Sequence, residues 1–118
     1  MAIISRTSRQ INASVQTVGV AAAAGGDSVT NVDGKAEFWI NNGGGASINV
    51  TILVQNPTQF TASGVPVTLA SIVVAVPAGT SRLFGPFSPS AYNDAAGFIQ
   101  MTYSAVTSVT IGAYAYLP

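Results

Sequence analysis

The clearest pattern in this sequence is the alternation of apolar and polar side chains in INVTILVQN, residues 48–56. Successive side chains of a β-strand point to opposite faces of the sheet, so this spacing is typical of a strand with one buried face. The side chains placed on the buried face are those of Ile48, Val50, Ile52 and Val54. A strand of this kind must bury its apolar face against a second layer.

Three further segments have the same two-residue period and predict strands: AEFWINN at 36–42, GFIQMTYS at 97–104 and VTIGAYAYL at 109–117. SIVVAV at 71–76 is apolar on both faces, which favours a strand that is covered on both sides. The alternating segments together predict one core. It comprises Phe38, Ile40, Ile48, Val50, Ile52, Ile99, Met101, Val109 and Ile111.

Composition favours strands over helices. The chain has 14 Val, 9 Ile and 11 Thr, which suit a pleated sheet, but only 4 Leu, and the helix formers Lys and Glu occur once each. Its 118 residues are enough for one domain. Because turn signals recur at close intervals, we predict an all-β fold: a single antiparallel β-sandwich of six to eight short strands, Ig-like or jelly-roll-like.

Residues 1–28 differ from the remainder, since they contain no aromatic side chain. Weak alternation at 11–16 precedes AAAAGG at 21–26, which is too short for a stable helix. We expect an extended N-terminal arm with one or two edge strands, followed by the sandwich domain at 29–118. The arm has two interpretations: a poorly ordered terminus, or a segment that becomes ordered on a partner.

Charge is scarce, since 7% of the residues are charged and the formal net charge is zero. Phosphate backbones are bound by clustered Lys and Arg side chains, so we expect no nucleic-acid partner. The sequence has no run of about 20 apolar residues and no signal-peptide pattern at its start, so we expect neither a membrane span nor standard secretion. A chain with so little charge either covers itself with Ser, Thr, Asn and Gln or lies against other protein.

The residues that usually carry catalysis are nearly missing, because the chain has no His and no Cys. Its four carboxylates are Asp27, Asp33, Glu37 and Asp94, all in or beside predicted turns, where Asp commonly binds nearby backbone. We therefore expect no enzymatic activity, no cofactor and no metal. A calcium site at Asp27, Asn31 and Asp33 is the weaker alternative, because the spacing is not that of an EF-hand loop.

Aromatic side chains opposite the predicted core face are candidates for binding. Trp39, Tyr114 and Tyr116 lie on such faces, and Trp and Tyr are favoured at the centres of protein interfaces. Two alternatives are that both faces of these strands are covered within the domain, or that the rings stack on carbohydrate. Arg6 and Arg9, the one basic pair, are further candidates for contact with a partner.

The segment AVPAGTSRLFGPFSPSAYNDAAG, residues 75–97, is predicted to be an outward connection that contacts another chain. Its three prolines restrict the backbone, so less conformational entropy is lost when it docks. In the alternative, two of its aromatic rings only plug the end of the sandwich, namely Phe84 and Phe87. The candidate contact residues in this segment are Arg82, Phe84, Phe87 and Tyr92.

The order and spacing of several turns and strands resemble a family of small proteins encoded beside the major capsid protein in tailed bacteriophages. The resemblance spans residues 29–113, and its motifs are turns and strands rather than chemical groups. The matching segments are Val32-Asp33-Gly34, Ile48 to Ile52, Val76 to Gly79, Gly85 to Pro89 with Tyr92-Asn93, and Tyr103 to Ile111.

This resemblance implies a head decoration, or cement, protein with a compact β-sandwich. It further implies the major capsid protein as partner, a homo-oligomer (a trimer or a dimer), and a location on the capsid surface after synthesis in the host cytoplasm. Two alternatives stay open: a tail or fibre domain of the virion, or a small carbohydrate-binding module.

Overall fold

A computed structural model describes residues 2–4, 6–10 and 20–117 of the chain. Within these residues, strands dominate and the single helix has four residues. The elements are β1 (Ala2–Ile4), β2 (Arg6–Gln10), β3 (Val20–Ala21), β4 (Asp27–Thr30), β5 (Ala36–Asn42), β6 (Ile48–Ile52), β7 (Thr58–Phe60), β8 (Pro66–Thr68), β9 (Ile72–Val76), β10 (Thr80–Phe84), α1 (Pro89–Tyr92), β11 (Phe98–Tyr103) and β12 (Val109–Leu117).

The strands form two sheets that pack against each other, together with one separate hairpin. The strand order of the first sheet is β1-β4-β11-β6-β9, and that of the second is β10-β5-β12-β2. β3 pairs with β12 beside β2, and β7 pairs with β8. From β3 to β6 and again from β9 to β12, each successive strand lies in the opposite sheet, so local sequence order says little about which strands are neighbours.

The prediction of an all-β sandwich is confirmed. The predicted number of strands was too low, because several strands have only two or three residues and lack the alternation that marks a longer strand. Most pairings are antiparallel, as expected. Two pairings at the sheet edges are parallel, β1 with β4 and β2 with β12.

The core lies between the two sheets, and the nine residues predicted for it are all part of it. Each is at most 4% exposed, and together they belong to one buried cluster. The first sheet contributes Ile48, Val50, Ile52, Ile99 and Met101. The second sheet contributes Phe38, Ile40, Val109 and Ile111.

The expectation that SIVVAV is covered on both faces is wrong. This segment forms β9, the edge strand of the first sheet, and Val73 on its outer face is 60% exposed. Val76 is fully buried, whereas Ile72 and Val74 are half-buried at the sandwich margin. An apolar residue on each face of a strand does not by itself decide whether both faces are covered.

The N-terminal residues reach both sheets. β1 lies at the edge of the first sheet and β2 at an edge of the second, while residues 11–19 of the predicted arm lie outside the described residues. The predicted boundary at residue 28 falls inside β4, where Asp27 and Ser28 are buried. In the part of the chain that the structure describes, no helix is long and apolar enough to cross a membrane.

Candidate contact surfaces

The aromatic residues of the 75–97 segment pack inward. Phe84 is 6% exposed, and its ring stacks on that of Phe38 with centroids 5.1 Å apart. Phe87 stacks on the same Phe38 ring at 5.6 Å and meets the Tyr92 ring edge-on at 5.8 Å. The prediction that Phe84 offers a contact surface is therefore wrong, because it fills the core. Phe87 and Tyr92 are half-buried against the core, so only part of each ring faces outward.

Two of the strand-face aromatics have different surroundings. Tyr114 is 3% exposed and pairs across the strands with Glu37, which is also buried. The expectation that Tyr114 presents an exposed ring is wrong, because this part of the face is covered within the chain. Trp39 is half-buried, and its cross-strand neighbours are the half-exposed Leu83 and the buried Gly112. Asn41, two residues along the same face, pairs with Ser81, so Trp39 lies beside hydrogen-bonding side chains as well as an apolar one.

Of the three cationic candidates, Arg82 is the one whose side chain the structure describes. Arg82 is exposed in β10, opposite Ile40 of β5. Arg6 and Arg9 belong to β2, and Tyr116 belongs to β12, but the side chains of these three lie outside the described residues. Only the backbone positions of Arg6, Arg9 and Tyr116 are therefore given, along the β2–β12 edge of the second sheet.

Three of the eight large apolar side chains that are exposed in the described part of the chain lie on one hairpin, which the sequence patterns did not single out. β7 and β8 pair with each other, apart from both sheets, with Phe60 opposite Pro66. The exposed fractions are 68% for Phe60, 55% for Val65 and 41% for Val67. The hairpin is inserted between β6 and β9, beyond the paired ends Ile52 and Ile72.

Hydrogen bonds to α1 hold the base of this hairpin. The N–H groups of Gln55 and Asn56 both donate to the carbonyl of Ala91, at 2.9 and 3.0 Å. The Ser90 hydroxyl donates to Gln59 Oε1 at 3.2 Å. Isolated two-stranded hairpins are marginally stable in water, so these bonds to the main domain help to fix the direction of the hairpin.

The tip of the hairpin is shaped by its own turn. The Thr61 N–H donates to the Val65 carbonyl at 2.9 Å, and the Thr61 hydroxyl oxygen accepts from the Val65 N–H at 3.1 Å. Gly64 closes the turn with a φ of +83°, a conformation that L side chains rarely adopt. The exposed apolar side chains are thus carried on a turn of defined shape.

The carboxylates stabilise the fold locally. Asp27 is fully buried, and its Oδ2 accepts from the Tyr103 hydroxyl at 2.7 Å and from the Ala23 N–H at 3.2 Å. Burial, followed by the hydrogen bond to Asp27 and the charge of that carboxylate, raises the pKa of Tyr103. Asp27 Oδ1 makes no hydrogen bond to a described residue. This pair lies at one end of the inner face of the first sheet.

Asp94 organises the turn before β11. Its Oδ1 accepts from the N–H groups of Ala96 and Phe98, both at 2.9 Å, and its Oδ2 accepts from Gln100 Nε2 at 2.6 Å. These bonds, first that from Phe98 and then that from Gln100, lower the pKa of Asp94. Among the described residues, no group of three or more acidic side chains is placed to hold a metal ion.

A pocket of about 340 Å³ lies at the opposite end of the β6–β9 pair from the hairpin. The buried side chain of Asn42 shapes the turn beside it: Nδ2 donates to the Ala46 and Val76 carbonyls, and Oδ1 accepts from the Gly44 N–H. The lining consists of residues 44–47 with Asn42, Ile48, Ala105 and Thr107, and it contains no charged group. It provides shape but no group for acid–base chemistry.

No family model, curated protein or solved structure matches this chain. The fold itself defines the class only as a two-layer β-sandwich.

The hairpin had a weak signal in the sequence. TQFTASGVPVT, residues 58–68, has two short strand-like runs around a turn that contains Gly64, which is a hairpin pattern. Neither run is long enough to show alternation, so the sequence pattern does not distinguish this hairpin from a loop with one short strand. The outward direction of Phe60 has no signature in the sequence.

Proposed function

We propose that the protein is a structural component of a tailed-phage virion: a head decoration, or cement, protein that binds the outer capsid surface. Its partner in this proposal is the major capsid protein, and the two proteins bind through their surfaces without a chemical reaction. The resemblance over residues 29–113 supports this assignment from the sequence side.

The observation that carries the proposal is the hairpin β7–β8, which pairs with neither sheet and exposes the apolar side chains of Phe60, Val65 and Val67. No charged residue occurs from 38 to 81, a range that includes the whole hairpin and its neighbours β6 and β9. Large exposed apolar patches on a soluble domain mark surfaces that contact protein or membrane. Phe60 at the hairpin tip has the form of an interface anchor, because aromatic side chains dominate the binding energy of such contacts.

The construction of the hairpin suits docking. Its base is bonded to α1 and its turn is closed by Thr61, so little conformational freedom remains to be lost on binding. The formal net charge of zero also permits close packing of many copies on a shell, because neighbouring copies do not repel each other through net charge.

The experiment is a binding titration onto phage heads from which the protein has been removed. The Phe60→Ser variant is compared with the wild type, and Val32→Ser is the matched control, because Val32 is as exposed as Phe60 but lies in the turn between β4 and β5. Loss of an aromatic anchor should weaken binding by about tenfold or more, whereas the control should bind as the wild type does. Circular dichroism verifies that both variants keep the β-sheet spectrum.

Two outcomes would contradict the proposal at different points. If the wild-type protein does not bind the heads, the assignment as a decoration protein is wrong. If it binds and Phe60→Ser binds equally well, the hairpin is not the contact surface.

A further inference from the structure

The exposed edges of the two sheets are protected unequally. Within the described residues, β1 and β9 are the edges of the first sheet. In the second sheet β10 is one edge, and β2 and the two-residue β3 share the other. β10 contains Arg82, and β2 contains Arg6 and Arg9, so three of the four cationic residues in the chain belong to edge strands. Charged residues on edge strands prevent uncontrolled pairing with other chains.

β9 has none of these protections. Its sequence IVVAV has no charge, no proline and only β-branched or small side chains. One side of β9 pairs with β6, and no strand in the described part of the chain pairs with its other side. β1 and β3 are also uncharged, but they have only three and two residues, and short edges are poor templates for pairing. The five-residue edge of β9 is therefore the one most open to strand addition.

We propose that β9 pairs with β9 of a second copy of this chain, antiparallel and about a two-fold axis. The occupant is inferred from complementarity: an uncharged, β-branched edge is best matched by an equally uncharged edge, and this chain supplies one with the same spacing. Antiparallel pairing of a strand with itself is self-complementary and closes after two copies. The contact joins two five-stranded sheets into one continuous sheet through main-chain hydrogen bonds.

The two-fold axis fixes the arrangement of the other surfaces. The Ile72 end of one β9 lies beside the Val76 end of the other, so the two hairpins β7–β8 extend from opposite ends of the joined sheet. This inference concerns contact between copies and does not depend on the capsid as a partner.

The test measures the mass of the purified full chain by light scattering over a range of concentrations. Val73→Lys is the test variant, because Val73 is 60% exposed and Lys can be accommodated without disturbing the core. Val32→Lys is the control, since it places the same charge on an exposed valine in the turn after β4, and β11 and β6 separate β4 from β9 in the sheet. We expect a concentration-dependent dimer whose dissociation constant rises about tenfold or more in Val73→Lys and is unchanged in Val32→Lys.

Hydrogen exchange of the wild type gives an independent measure. Amides of residues 72–76 should exchange more slowly as the protein concentration rises, because strand pairing occupies their free N–H groups. The proposal is overturned by a monomer at every concentration, by open-ended aggregation, or by a dimer that Val73→Lys does not weaken and that leaves exchange at 72–76 unchanged.

Discussion

Asn31 and Asn93 hold two distant turns together by a reciprocal pair of hydrogen bonds. Asn31 Nδ2 donates to Asn93 Oδ1 at 2.8 Å, and Asn93 Nδ2 donates to the Asn31 carbonyl at 2.8 Å. The fully buried Asn31 also donates to the Phe87 carbonyl and accepts from the Ala36 N–H. One asparagine thus fixes the segment that carries Phe87 to the start of β5.

Replacing Asn93 with Ala should therefore destabilise the fold. Both bonds are lost, and the buried Asn31 Nδ2 group keeps only the longer bond to the Phe87 carbonyl, so we expect a loss of about 1–3 kcal/mol in the free energy of unfolding. Urea unfolding measures it, with Asn56→Ala as control because Asn56 is exposed and should change stability by about 0.5 kcal/mol or less. Equal effects of the two substitutions would contradict the role given to the Asn31–Asn93 pair.

Tyr103 should make the fold sensitive to alkaline pH. Because its pKa is raised in the folded state, its contribution to stability is complete below the unfolded pKa of about 10 and is lost as the pH rises further. The Tyr103→Phe variant should be less stable at neutral pH, since Asp27 loses a donor, and its stability should fall less steeply above about pH 10. Urea midpoints measured across this range test the prediction, and parallel pH profiles for the two proteins would refute it.

Asp94 should make the stability of the fold sensitive to acidic pH, whereas Tyr103 makes it sensitive to alkaline pH. Its lowered pKa means that its contribution is complete above the unfolded value of 3.8 and is lost as the pH falls below it. We expect Asp94→Asn to be less stable than the wild type at neutral pH and the difference to narrow as the pH falls below about 4. Thermal unfolding at a series of acidic pH values measures the gap, and a constant gap would contradict the prediction.

The inward-facing residues could be predicted because burial and period-2 alternation are both local. Val50 and Met101, for example, each lie between two polar neighbours on the opposite face and are both fully buried. Alternation defines which side chains share a face, and one face of each long strand had to meet the other sheet.

The candidate surfaces could be predicted only in part, because they depend on contacts between residues far apart in the chain. Phe84 is buried and Phe87 is half-buried. Both rings pack inward because they stack on Phe38, which is more than 40 residues away in the sequence. Val73 is exposed because it lies on the outer face of β9, and whether another layer covers that face has no local signal. Phe60 is exposed because its hairpin joins neither sheet.

Arg82 is the one cationic candidate whose side chain is described. Because this side chain is exposed, a substitution there can change binding to the particle without changing the stability of the fold. Arg82→Ala should change the free energy of unfolding by about 0.5 kcal/mol or less. If the guanidinium contacts a carboxylate or carbonyl on the particle, the same variant should bind stripped heads about tenfold less tightly, and Arg82→Lys should recover only part of the loss. Superimposable occupancy curves for wild type and Arg82→Ala would remove Arg82 from the contact surface.

The proposal that this protein decorates the capsid is tested by its copy number in purified phage particles. Quantitative mass spectrometry gives the molar ratio of this chain to the major capsid protein. We expect a fixed ratio, with copies of this chain of the same order as those of the capsid protein, because a decoration protein occupies repeated sites over the shell. A ratio as low as that of the tail proteins, or absence from the particle, would contradict it.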